Sequence, residues 1–300
     1  MLGAATGLTV SRPVPGTLGA MAFRRGSWPE RAPLGGLAPR RRVFVLALLA
    51  VAAVVAVLVG VGVAQEYRVP PRADPDVPGA VVLVPGYGGN RAAFIGLTER
   101  LRTEGRRAVI VELPSGGTGD LVAQGAAIDD TVRGLLDDGE PSVDVVGYSA
   151  GGVATRVYLD RGRTAPAVRR VVTLGSPLRG AELAAAGGAL VPGACPRACQ
   201  QLAPGSALLS GLATAPPDLP WVSLWTADDE TVTPPESAEL PGTDAIRLQD
   251  VCSDATIVHS RLPSDPLAVG LVLRALGTGP LPTADPDQCD ALRSEGESGA

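Results

Sequence analysis

Three hundred residues suffice for one large domain or two small ones, and with only 3% aromatic residues the core must be filled by Val, Leu and Ala. The formal net charge of −5 is unevenly spread: residues 1–64 carry seven arginines against one acid, Glu30, a net +6, which leaves −11 on the remainder. An acidic remainder argues against nucleic acid or anionic lipid headgroups as its partners.

Residues 1–42, rich in Gly, Pro and Ala, are expected to form a disordered cytoplasmic leader, with Met21 as a second candidate start. Residues 43–64, VFVLALLAVAAVVAVLVGVGVA, are 22 residues without a charge. At about 1.5 Å per residue they reach ~33 Å, enough to cross a hydrocarbon core of roughly 30 Å. Arg40, Arg41 and Arg42 stand directly before them and few positive charges follow closely. The positive-inside rule then puts the N-terminus in the cytoplasm and the rest of the chain outside. A secretory signal has a shorter apolar region, about 7–15 residues. The run is therefore expected to remain as a single-pass anchor in the cell membrane. The alternative is cleavage after Gly62-Val63-Ala64 and secretion of a chain beginning at Gln65. Residues 65–78, QEYRVPPRADPDVP, form a polar, Pro-rich linker.

From residue 79 strand-like and helix-like patterns alternate. AVVLV (80–84) is a continuous apolar run, as expected of a strand buried on both faces. Asn90 to Gly105 carries Phe94, Leu97 and Leu101 at helical spacing, and RAVIVEL (107–113) is a second buried strand. Residues 119–137 place Leu121, Ile128, Val132 and Leu135 on one helical face. VDVV (143–146) predicts a third strand, 150–162 a helix, and VRRVVTL (168–174) a fourth strand. WVSLWT (221–226) and AIRLQD (245–250) predict a fifth and a sixth, and PLAVGLVLRALG (266–277) a last helix. Such alternation means an α/β fold with a mostly parallel central sheet and helices on both faces, spanning 79–277.

Residues 177–220 break the rhythm. Structureless connections beyond about 12–15 residues are uncommon unless functional, and this one mixes apolar residues, glycines and two cysteines, so it reads as a lid over a site. The tail, 278–300, is polar and is expected to be ordered only where Cys289 ties it down. Cys195, Cys199, Cys252 and Cys289 all follow the apolar run, in an oxidising compartment. The simplest of their possible pairings is Cys195–Cys199 with Cys252–Cys289. A metal site is the rival reading; one His and a C-x3-C without a second close pair make poor zinc ligands.

GYSAGG (147–152) follows VDVV and precedes a helix. In G-x-S-x-G at such a junction, a sharp turn pushes the serine hydroxyl out above the sheet, and Gly147 and Gly151 leave the turn room. Ser149 is then the candidate nucleophile. Its base is the only histidine, His259, which follows the sixth strand. The acid that orients the imidazole belongs after the fifth strand, where TADDETVTPP offers Asp228, Asp229 and Glu230. The spacing D-x-x-V ahead of Pro favours Asp229, with Asp228 as the alternative; Asp254 is an outsider. The order Ser149, Asp229, His259 is that of the α/β-hydrolase fold. The oxyanion would be held by the N–H of Ala150 and by a donor from PGYGGN (85–90), best the N–H of Tyr87.

LVPGYGGN, VDVVGYSAGG, VVTLGSP, WTADDETVTPP and VHSRLPSDPLAVGLVLRAL together resemble secreted actinobacterial lipases and esterases of the α/β-hydrolase superfamily, over roughly residues 78–277. ACPRACQQLAPGS is similar to the lid region of that group. The resemblance implies hydrolysis of carboxylic esters through an acyl-enzyme, needing neither metal nor organic cofactor. The apolar 177–220 segment favours lipid-like esters, and a monomer is expected. Pro85 departs from the pattern, since many lipases carry His before the oxyanion glycine, and so does the long leader. Acyl transfer to a cell-envelope acceptor would use the same acyl-enzyme. A catalytically inactive, membrane-tethered binding protein is a third reading, against which the complete triad order argues.

Overall fold

The computed structural model describes residues 38–66, 69–190, 195–213 and 218–297. Two compact units separate, one up to residue 67 and one from residue 68. Among the described residues the first holds one helix, α1 (Pro39–Glu66). Its apolar side chains face outward, Val43 and Phe44 being 68% and 64% exposed. The stretch Pro39–Val63 is long and apolar enough to cross a membrane, as a signal sequence also would be. The helix takes in Arg40–Arg42, so it begins four residues before the expected boundary at 43. The expected leader lies outside the described residues up to residue 37.

The second unit is an α/β sandwich. Its elements run β1 (Ala80–Val84), α2 (Ile95–Thr103), β2 (Ala108–Ile110), α3 (Leu121–Asp137), β3 (Val143–Tyr148), α4 (Ala150–Arg161) and β4 (Val168–Leu174). Three short helices follow, α5 (Glu182–Leu190), α6 (Arg197–Leu202) and α7 (Ala207–Gly211). Then come β5 (Trp221–Trp225), β6 (Asp244–Arg247), α8 (Leu248–Val251), α9 (Pro266–Ala275) and α10 (Cys289–Glu297). The six strands are all parallel, in the order β2-β1-β3-β4-β5-β6.

The central strands β1, β3 and β4 are rich in Val and Leu because each face of the sheet is covered there. Val82, Val84 and Val145 pack with Ile128, Val132, Val153 and Val157 of α3 and α4. Val81, Leu83, Val146 and Val172 pack with Leu97 of α2 and Leu267 and Leu271 of α9 on the other face. All five residues of β1 are fully buried, worth about 1.5–3 kcal/mol for each Val or Leu. The buried charges of the central strands have partners: Asp144 of β3 is ion-paired with Arg106 and with Arg169 of β4, and Arg170 of β4 donates to the Ala275 and Gly279 carbonyls.

Three expectations are corrected. The run 245–250 is a strand only to Arg247; from Leu248 it turns into α8, because Leu248 and Val251 both face the core, a spacing of three that a strand cannot bury on one side. RAVIVEL is paired only over Ala108–Ile110. The tail does more than hang from Cys289: α10 buries Leu292 against α9. Arg274 of α9 forks onto both carboxylate oxygens of Glu295 at 2.8 Å. The packed domain therefore runs past 277 to Glu297. Both disulfides of the simplest pairing are formed, Cys195–Cys199 and Cys252–Cys289. Parts of the expected lid, 191–194 and 214–217, lie outside the described residues.

Candidate active site

The loops that leave the carboxyl ends of β1, β3, β4 and β5 converge, as ligand-binding loops do in open parallel sheets. Ser149 sits between β3 and α4 at φ 53°, ψ −129°, a conformation that costs a non-glycine residue about 1–3 kcal/mol. Its N–H is held by the Leu174 carbonyl at 2.9 Å. The tight turn needs its glycines: a Cβ on Gly151 would lie 2.3 Å from the Val84 carbonyl oxygen, and one on Gly147 2.7 Å from Gly152 Cα. The sharp turn leaves Ser149 Oγ pointing at His259.

His259 begins a short turn after α8 and is buried. Its Nε2 lies 2.9 Å from Ser149 Oγ and its Nδ1 2.7 Å from Asp229 Oδ2. With Asp229 ionised, Nδ1 carries the proton and Nε2 is left to accept the serine O–H. Asp229 is held in turn, since its Oδ1 accepts the N–H groups of Thr231 at 3.0 Å and Val232 at 2.7 Å. Asp228 points the other way. It is exposed, and its Oδ2 accepts from Ile257 N–H and from Gln249 at 3.2 Å each. Asp254 pairs with Arg293 on the surface. Glu230, on the same loop, accepts the His259 backbone N–H at 3.2 Å.

Ala150 is the first residue of α4, so its N–H has no partner within the helix. The N–H of Tyr87 is not donated to any described residue. The loop carrying it crosses close to the serine: a Cβ on Gly86 would lie 2.9 Å from Ser149 Cβ. Tyr87, Ser149 and Ala150 open into one cavity of about 350 Å³, walled by Pro177, Ala181, Leu183, Leu202, Val232 and the Cys195–Cys199 disulfide. Among the described residues, no charged side chain lines it. Much of the wall comes from α5, α6 and the residues beside them, inside the segment expected as a lid.

Three supporting side chains had no sequence signal. Arg156 of α4, buried, donates to the Leu178 carbonyl before α5 and to the Leu212 and Ala213 carbonyls after α7, gripping both ends of the insertion. Burial lowers its affinity for its proton. Gln201 of α6 docks the insertion on α3, accepting from Leu121 N–H at 2.8 Å and donating to Asp120 at 2.7 Å. That contact and the Val122 N–H hold the Asp120 carboxyl below the usual range. Gln249 joins the acid loop to the histidine segment, accepting from Ala227 N–H at 3.0 Å and donating to Thr226 Oγ1 at 2.9 Å and to the Ala255 carbonyl at 3.3 Å.

No protein-family model and no curated protein sequence matches the chain. Among solved structures, the chain is similar to Aspergillus fumigatus lipase B, with 19% identity, a TM-score of 0.59, and coverage of 75% of this chain and 59% of that one. The chain thus spans well under two thirds of that lipase. It is also similar to the mature form of Bacillus licheniformis lipase BlEst2, at 19% identity and a TM-score of 0.48 over 59% of this chain and 85% of that one. A third is MGS-MChE2, an α/β-hydrolase enzyme from a lagoon-sediment metagenome in Morocco, at 21% identity and a TM-score of 0.45 over 67% and 90%. The all-parallel sheet, the strand–serine–helix turn and the likeness to lipase B over three quarters of the chain agree: the chain has the α/β-hydrolase fold.

Proposed function

We propose that the chain is a serine hydrolase that cleaves carboxylic esters, lipid-like ones in particular, through an acyl-enzyme. The observation that carries the reading is the unbroken chain of contacts from Ser149 Oγ to His259 to Asp229, at 2.9 and 2.7 Å. As Oγ attacks the ester carbonyl, its proton passes to His259 Nε2. Asp229 fixes the imidazole tautomer and stabilises the charged ring. The N–H groups of Ala150 and Tyr87 take the developing oxyanion; such donors are worth roughly 3–4 kcal/mol each. His259 then returns its proton to the leaving alcohol, and water enters by the same route in reverse.

The apolar cavity beside Ser149 supports an acyl group over a charged one, and residues 177–220 act as its lid. The apolar helix ahead of the domain supports a membrane anchor with the hydrolase outside the cell, and the two disulfides fit an oxidising compartment. Residues 68–297 would then be the catalytic domain and α1 its anchor. The full chain in detergent should hydrolyse p-nitrophenyl esters, with kcat/KM rising from acetate to longer acyl groups that fill the cavity. Turnover that is absent for every chain length would contradict the proposal. Turnover that falls steadily beyond acetate would remove the lipid-like part of it.

A further inference from the structure

His259 is held on three sides, and only two of them belong to the serine and the acid. The third is the face of its ring, which lies on Tyr148, with ring centroids 5.1 Å apart and planes 30° from parallel. Tyr148 is the last residue of β3, directly before Ser149. Its hydroxyl donates to the His259 carbonyl at 3.2 Å. Behind it stands Phe94, fully buried, edge-on at 6.3 Å and 86°. Burial and the negative charges of Asp229 and Glu230 push the Tyr148 phenol up to about 12. It therefore stays protonated, and a donor, at any pH where an ester assay is run.

We infer that Tyr148 is a positioning residue for the base: its ring face stabilises the imidazolium of His259, and its hydroxyl fixes the turn that carries it. The inference rests on His259 being the base. When the Ser149 O–H bond breaks and the Nε2–H bond forms, the imidazole gains a full positive charge. Asp229 meets that charge in the ring plane at Nδ1. The negative π face of Tyr148 meets it from below, within the ~6 Å over which a cation and an aromatic face attract. Among the described residues, the other charged groups on this turn and the loop facing it are Asp228, which accepts the Ile257 N–H, Glu230, which accepts the His259 backbone N–H, and Arg261, exposed. None changes when residue 148 is substituted, so a shift in the titration of His259 reports the ring.

The chain has one histidine, so its imidazole can be titrated by NMR without ambiguity. In a Ser149→Ala background the titration needs no turnover. Tyr148→Leu should lower the His259 midpoint by about half a pH unit, a roughly threefold loss of proton affinity for an attraction of the usual strength. Tyr148→Phe, which keeps the ring, should leave the midpoint in place. In the otherwise unaltered enzyme, Tyr148→Leu should move the acid limb of kcat/KM to lower pH and cut kcat about three- to tenfold with KM unchanged. Tyr148→Phe should rescue the acid limb. If the Leu variant does not fold, pentafluorophenylalanine at 148 keeps the shape, inverts the ring's charge distribution, and must lower the midpoint. An unchanged midpoint in the Leu or fluorinated variant, or equal shifts for Leu and Phe, overturns the inference. A chain that hydrolyses no ester would sink the proposed function, while the order of NMR midpoints would still judge this one.

Discussion

Gly175 follows β4 at φ 49° and sits against the Asp229–His259 pair. A methyl group there would lie 2.5 Å from Leu262 Cδ1, 3.1 Å from Asp229 Oδ2 and 3.2 Å from His259 Nδ1. Carbon atoms normally approach to about 3.5–4.0 Å, so in Gly175→Ala Leu262 must retreat by about 1 Å. Leu262 is fully buried and directly follows the turn His259–Arg261, so its retreat is expected to shift His259, the proposed base. The left-handed backbone costs about 1–2 kcal/mol for a residue with a Cβ, and overpacking about 1–3 more. At roughly 2–4 °C per kcal/mol for a domain of this size, the melting temperature should fall by roughly 4–20 °C. A displacement of that order at the reacting groups should lower kcat about 10²-fold, read with p-nitrophenyl esters well below the melt. Gly242→Ala is the control: its φ is +88° and its Cβ would meet nothing within 4 Å. It should lose about 1–2 kcal/mol of stability and no activity. Wild-type kcat in folded Gly175→Ala would refute the placement of Asp229 and His259.

Asp229→Asn should cost roughly 10⁴-fold in kcat by leaving the wrong tautomer of His259, whereas Asp228→Asn should stay within a few-fold. The reverse ranking, by steady-state kinetics, would move the acid to Asp228. The disulfides should weigh unequally in the chain-entropy model: sequence separations of 37 and 4 correspond to about 4 kcal/mol for Cys252–Cys289 and about 2 kcal/mol for Cys195–Cys199. Cys252→Ala with Cys289→Ala should therefore lower the melting temperature about twice as far as the other pair. Equal losses would show that the packing of α10, and not the crosslink, holds the tail. Alkaline unfolding should follow the buried phenols. The Tyr148 phenol is pushed up to about 12 and that of Tyr158 is raised further by burial. An unfolded tyrosine loses its proton near about 10, so between those values the unfolded state binds fewer protons and stability falls as pH rises. Denaturant melts of Tyr148→Phe with Tyr158→Phe should show a shallower fall; an unchanged one would place the alkaline sensitivity elsewhere.

The parts of the fold legible in the sequence are those buried on both faces. β1, β3 and β4 read as largely apolar runs because both faces are covered, and the charges they do carry, Asp144, Arg169 and Arg170, are buried with partners. The end of β6 misled because its apolar residues serve a strand and then a helical turn in succession. Helix α10 was hidden by a polar composition: it buries only Leu292, and its packing rests on Gly270 and Gly296, whose Cβ atoms would lie 2.1 and 1.9 Å from facing carbonyl oxygens. At the site, the spacing that favoured Asp229 has a local cause, because the D-x-x-V register lets Oδ1 accept the Thr231 and Val232 N–H groups and turns Oδ2 toward His259. Arg156 and Gln249 left no trace, since they bond to carbonyls and side chains up to 57 residues away.

The central claim is that Ser149 is an activated nucleophile. Treating the full chain in detergent with a fluorophosphonate and mapping the adduct by peptide mass spectrometry tests it directly. The account predicts one adduct, on Ser149, formed in step with the loss of ester hydrolysis and absent from His259→Ala. No adduct, an adduct on another serine, or undiminished labelling without His259 would contradict it.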